Sequence, residues 1–158
     1  MKLKITQFIA LFLLLLITGV FWGPWFGLHR SLEVFSAAEL IHITKAIAQN
    51  LAVPMRFIMP ACIAFMVLSA WFYPNKKSGE FYATVAAITF IIIALVITVL
   101  VEVPIVNQIK DWTVTSVPSD WESIRDRWVF FHGVRTFTAL VGFGCFSITI
   151  LQFFKQQN

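Results

Sequence analysis

The chain has 158 residues, 59% of them hydrophobic and only 13% charged, with a formal net charge of +4. Soluble domains carry about 25% charged residues, and a soluble domain of this size has too little interior for so much apolar surface. The Lys and Arg residues are scattered rather than clustered, which argues against a nucleic-acid partner and leaves them mainly to orient the chain in a bilayer.

Lys2 and Lys4 precede a first apolar run, Ile5–Leu28. No small-x-small cleavage site follows; the chain continues Val20-Phe21-Trp22-Gly23-Pro24-Trp25-Phe26, aromatics suited to a membrane interface. An uncleaved span is expected, kinked or ended near Pro24. In the next segment, His29–Pro54, Ser36-Ala37-Ala38-Glu39 has the pattern of a capping box. Leu40, Ile43, Ile47 and Leu51 then repeat at helical spacing. This predicts a short amphipathic interfacial helix over Ala37–Asn50, with His42, Lys45 and Gln49 on its polar face.

Met55–Tyr73 is the second span, bent by Pro60. The short link Pro74–Glu80 leads to the third, Phe81–Val103. Pro104 bends the chain as it leaves the membrane, and Val117-Pro118 turns it. Ser119-Asp120-Trp121-Glu122 is a second capping-box pattern, after which no breaker interrupts the helix up to Phe154. Such a helix is about 52 Å long, against about 30 Å of hydrocarbon, so its first turns project beyond the bilayer and Val129–Phe154 is the fourth span. Gly133, Gly142 and Gly144 permit close helix approach. Cys62 and Cys145 lie inside apolar runs, without metal-ligand spacing, and read as buried thiols.

The expected fold is therefore an all-α membrane protein, one domain over residues 1–158. It is a four-helix transmembrane bundle with a short amphipathic helix between spans 1 and 2 and an extended fourth helix. Both termini share one side with the Pro74–Glu80 link, and His29–Pro54 and Pro104–Trp128 occupy the other, the site face. A count of Lys and Arg favours the site face as cytoplasmic. Lys2, Lys4, Lys76, Lys77 and Lys155, however, are packed into very short segments, and every acid except Glu80 is on the site face. The adopted reading is an inner-membrane protein with both termini cytoplasmic.

Glu33, Glu39, His42, Glu102, Asn107, Arg125, Arg127, Trp128, His132 and Arg135 all belong to the site face. Trp121, Arg125, Trp128, His132 and Arg135 alternate by four and three, which places them on one helical face. His132 and Arg135 fall inside the apolar boundary, where ionisable groups are costly and turn towards the bundle or a wet cavity. Three readings stay open. An ion pair such as Glu102 with Arg135 locks helices together. A metal is held by Glu39, His42, Glu102 and His132, although Glu39-x-x-His42 has no second copy to complete a di-iron set. In the third, a metal-free site, His132 is the base and Arg135 or Arg125 stabilises an anion. There Trp128 and Trp112 stack on a flat ligand and His29, beyond Trp25, joins the wall. P-loop, GxGxxG, GxSxG, HExxH and CxxCH signatures are absent.

Glu102-Val103-Pro104-Ile105, Asn107, Ile109 and Trp112, followed by Trp121 and Arg125-x-Arg127-Trp128-x-x-x-His132-x-x-Arg135, resemble the anthrone-oxygenase-like family of small four-span membrane proteins. The resemblance implies oxidation of an anthrone to an anthraquinone by molecular oxygen. It carries the matching roles to Asn107, Trp112, Arg127, Trp128, His132 and Arg135. Catalysis is thus expected of His132, Arg135 and Arg127, and substrate binding of Trp112, Trp128, Asn107, Arg125, Trp25 and His29. An anthrone-like enolate reacts with oxygen directly, so no cofactor is strictly required, and a metal stays open. The expected partners are the lipid bilayer, a hydrophobic small molecule and a second copy of the chain. Against the enzyme stand a non-enzymatic lipid- or small-molecule-binding or export protein and a structural subunit of a membrane complex. Only Thr89, Thr98, Thr138 and Ser147 offer polarity at mid-span, too little for an ion path.

Overall fold

The computed structural model describes the backbone over residues 1–155 and side chains over residues 1–151. The side chain of Lys155 and the end of the fourth span lie outside the described side chains. Helix α1 (Lys2–Gly27) is followed by a 3-10 stretch (His29–Val34), α2 (Ala37–Phe72) and α3 (Gly79–Ile97). A π turn (Thr98–Glu102) then leads into α4 (Val103–Asp111), and α5 is Trp121–Lys155. Four helical stretches, Lys2–Val34, Ala37–Phe72, Gly79–Asp111 and Trp121–Leu151, are long and apolar enough to cross a membrane. The described residues form no strand. The chain is an all-α, four-helix transmembrane bundle.

Around the bundle, α2 packs on α1, α1 on α5, and α5 along α3; α2 and α3 close the ring over a shorter stretch. Lipid is as apolar as the helix surfaces, so close packing rather than the hydrophobic effect holds helices together. Ala10, Ala87, Ala94 and Ala139 are fully buried and bring the backbones near. A Cβ on Gly142 would sit 3.2 Å from Phe90 Cβ and 3.3 Å from the Ala87 carbonyl oxygen. Gly133 lets the Trp25 indole lie against α5, whereas Gly144 faces open space. Leu14, Ile17, Met66, Ile91 and Phe146 fill the centre. Hydroxyls at this level return to their own helices, as in Thr18 to the Leu14 carbonyl (2.9 Å) and Thr84 to the Glu80 carbonyl (2.8 Å).

Two details differ from the sequence expectation. The amphipathic helix forms, with its Ser36–Glu39 capping box complete, but it is not a separate element. It runs through Pro54 and Pro60 into the second span as one helix of 36 residues. Asn50, whose carbonyl Pro54 leaves unpaired, and Pro54 itself are exposed on the outer surface, so the helix loses one bond and continues. The second capping box does not close. Trp121 instead donates its N–H to the Pro118 carbonyl at 3.3 Å.

The π turn arises next to Pro104, which has no N–H to give and whose ring crowds the preceding turn. The helix widens there, and Val103 donates to the Thr98 carbonyl five residues back. Glu102 lies inside the bundle at 2% exposure, while Val103 and Pro104 face outward. Outward of this level a second apolar cluster, including Leu32, Leu40, Ile109 and Trp112, packs α4 and the first turns of α2 and α5 together.

Candidate active site

The site is built around the Glu102 carboxylate. Its Oε2 accepts from Trp128 Nε1 at 3.0 Å and forms an ion pair with Arg135 Nη2 at 3.0 Å. His132 Nδ1 lies 3.5 Å away. Arg135 also donates from Nη1 to the Thr98 hydroxyl at 3.3 Å, and its guanidinium sits 4.5 Å from the Phe21 ring centroid. The carboxylate and the guanidinium neutralise each other where neither charge could be held alone.

Hydrogen-bond logic fixes the histidines. His132 Nε2 is 3.1 Å from the Phe21 carbonyl, which can only accept, so Nε2 carries the proton. Arg135 Nη2, which can only donate, lies 2.7 Å from Nδ1 and takes its lone pair. Both ring nitrogens of His132 are thus engaged. His29 stacks on it with ring centroids 3.8 Å apart and planes 7° from parallel, and its edge meets Trp128. His29 Nδ1 donates to the Pro24 carbonyl at 3.1 Å. That leaves His29 Nε2 as a buried lone pair with no partner.

Three further buried atoms lack a hydrogen-bond partner: Glu102 Oε1, Arg135 Nε and the Thr44 hydroxyl. All four residues line one cavity of about 470 Å³ between α2 and the α3–α4 helix, with α1 and α5 behind it. Buried polar groups are nearly always paired, so four orphans around one cavity, each from a different element, make it a candidate ligand site. The inner wall is apolar, with Val20, Phe21, Met59 and Leu95. Asn107 stands at the mouth.

Of the residues expected at the site, Glu102, Trp128, His132, Arg135, His29 and Asn107 line this cavity. The others are elsewhere. Arg127 is exposed, its guanidinium over the Phe131 ring; two residues from Arg125, it falls on the opposite face of α5. Arg125 pairs with Asp126 at 2.8 Å and covers Trp121. Trp112 is buried in the outer apolar cluster. Trp25 belongs to the outer surface, packed against Phe137 and Trp22. Glu33, Glu39 and His42 are exposed, and Glu39 is engaged by Ser36. The proposed metal set of Glu39, His42, Glu102 and His132 is therefore not brought together. No group of three His, Cys, Asp or Glu side chains among the described residues could hold a metal ion. Thr44, Thr98 and the Phe21 carbonyl were not foreseen. Thr44 gave a signal as a hydroxyl on the apolar side of its helix, and Thr98 as one of the few polar groups at mid-span.

The fold and the cluster define a small four-span membrane protein with a cavity lined by a buried, charge-balanced polar cluster. The chain belongs to the anthrone oxygenase family, whose sequence profile matches residues 46–145. Neither a curated protein nor a solved structure matches it. The matched segment contains Glu102, Trp128, His132 and Arg135; His29 and Thr44 precede it and join the site through the fold.

Proposed function

We propose that the protein is a membrane oxygenase that oxidises a flat, apolar aromatic molecule at a carbon made acidic by a neighbouring carbonyl or phenol. Membership of the family supports the reaction class. The unpartnered His29 Nε2 in the wall of the cavity carries the reading, because a proton acceptor needs a free lone pair. His132, expected from sequence to be the base, has none to offer, and its role passes to positioning Arg135 and supporting the His29 ring.

In the proposed reaction His29 Nε2 takes a proton from the substrate CH₂. The charge left behind moves onto the substrate oxygen, where Arg135 Nε–H and the Thr44 hydroxyl are unused donors. The electron-rich enolate reduces dioxygen and bonds to it, and His29 returns its proton to give a hydroperoxide. Loss of the second C–H proton to His29 expels hydroxide, which leaves as water. In sum a CH₂ becomes C=O, one oxygen atom is incorporated and the other becomes water. The substrate supplies all the electrons.

Oxygen uptake and quinone absorbance in proteoliposomes given anthrone test this. His29→Gln should lower turnover about a hundredfold or more while the protein stays folded. A folded His29→Gln protein with full turnover would remove His29 from the role. Wild-type protein that binds anthrone without consuming oxygen would favour a binding protein instead.

A further inference from the structure

The cavity is open on one side, between α2 and the α3–α4 helix. Its lips there are Ala52 and Arg56 on α2 and Val99 and Val103 opposite, the valines 53% and 45% exposed. These four positions lie at the edge of the apolar spans, so the opening faces lipid. A molecule dissolved in the bilayer reaches Glu102 and His29 through it without crossing water.

Two cations stand in this opening, Arg56 and Lys110. Neither has an ion-pair partner among the described residues. The chamber's own pair, Glu102 and Arg135, cancels, so the lining carries two uncompensated positive charges. Their depths differ. Lys45 Nζ meets the Trp112 carbonyl at 3.3 Å, which sets α2 and α4 level at that point. Eleven residues further in along each helix, about 16 Å, Arg56 stands near the depth of Glu102. Lys110 stays near the surface. An unpaired arginine at the hydrocarbon boundary is costly unless an anion meets it.

We infer that the substrate is an aromatic anion: a flat, apolar ring system bearing a carboxylate or equivalent charge, drawn in sideways from the bilayer with that charge held by Arg56. Lys110 attracts it from the headgroup level, and the uncharged ring edge goes inward to His29 and Arg135. This rests on the reading of the same cavity as the substrate site and adds the charge and the route. Phospholipid headgroups are the other source of a matching anion.

Binding of anthracene-2-carboxylate and of its neutral amide to the purified full-length protein separates these cases. Quenching of tryptophan fluorescence reads it, since Trp128 lines the cavity, and a phospholipid-free nonionic detergent removes the headgroups. The acid should bind about two- to fivefold more tightly than the amide. Arg56→Gln should abolish that preference without weakening the amide, Arg56→Lys should keep most of it, and Lys110→Gln should reduce it less. Equal binding of acid and amide would overturn the proposal, leaving the cavity as a neutral-ligand site and Arg56 as a headgroup partner. An equal loss for both ligands in Arg56→Gln would also overturn it, as a structural effect. If neither ligand binds, this inference and the proposed substrate site fall together.

Discussion

The centre of the bundle and the chamber at its outer end use the same residue types to opposite ends. From the centre to the termini end Thr18, Thr84 and Thr149 give their hydroxyls to carbonyls of their own helices. In the chamber the Thr44 hydroxyl has no partner, beside His29 Nε2, Glu102 Oε1 and Arg135 Nε. One region is closed chemically as well as sterically. The other holds polar atoms in reserve at a cost in stability, which is common where strain or unmet bonding serves a function. Satisfied and unsatisfied polar groups are thus divided between two levels of one bundle.

Three substitutions would break or sharpen this division. The largest effect is expected at Glu102. Glu102→Leu strands the buried Arg135 charge and should cost about 3–5 kcal/mol, read from thermal unfolding in detergent. Adding Arg135→Met should restore most of that stability but no turnover. A single Glu102→Leu as stable as wild type would mean that the pair does not hold the helices. Next is Gly142→Ala at the centre, where the new methyl meets Phe90 and the Ala87 carbonyl. Overpacking there should cost about 1–3 kcal/mol, with ligand affinity unchanged in the folded fraction. The smallest is Thr44→Val. It removes a buried, unpaired hydroxyl, so stability should rise by about 1 kcal/mol, while ligand affinity falls about two- to tenfold. Thr84→Val is the control and should leave affinity untouched; equal effects from the two threonines would erase the distinction.

The spans were legible because each apolar run is long enough to cross and is bounded by proline or charge. Glu102, His132 and Arg135 stood out because charge inside such a run must face inward. The four-and-three spacing on α5 also selected Trp128, and it left out Arg127, a site-face residue whose catalytic role came from the family resemblance and which lies on the far face. Arg125 and Trp121 show the limit of that pattern. A shared buried face does not say whether a side chain meets a cavity or an apolar cluster, since that depends on which helix lies opposite. His29 and Thr44 were harder still. Their significance is an unmade hydrogen bond, and only the positions of the Pro24 carbonyl and of α2 reveal it. Continuity through Pro54 was hidden for a similar reason: the helix survives there because the lost bond falls on the outside.

The π turn at Thr98–Glu102 is an extra residue wound into an otherwise ordinary helix. Each residue advances an α-helix by about 100°. The wider coil takes up its additional residue within one turn, so the turns before and after it stay nearly in phase. Leu95, Thr98, Glu102, Val106 and Lys110, spaced by three and four, therefore share one wall of the cavity. Excising Val101 would heal the coil into ordinary helix and leave that wall standing: the widening is a local adjustment beside Pro104, and the reach of the polar wall comes from the spacing of its side chains.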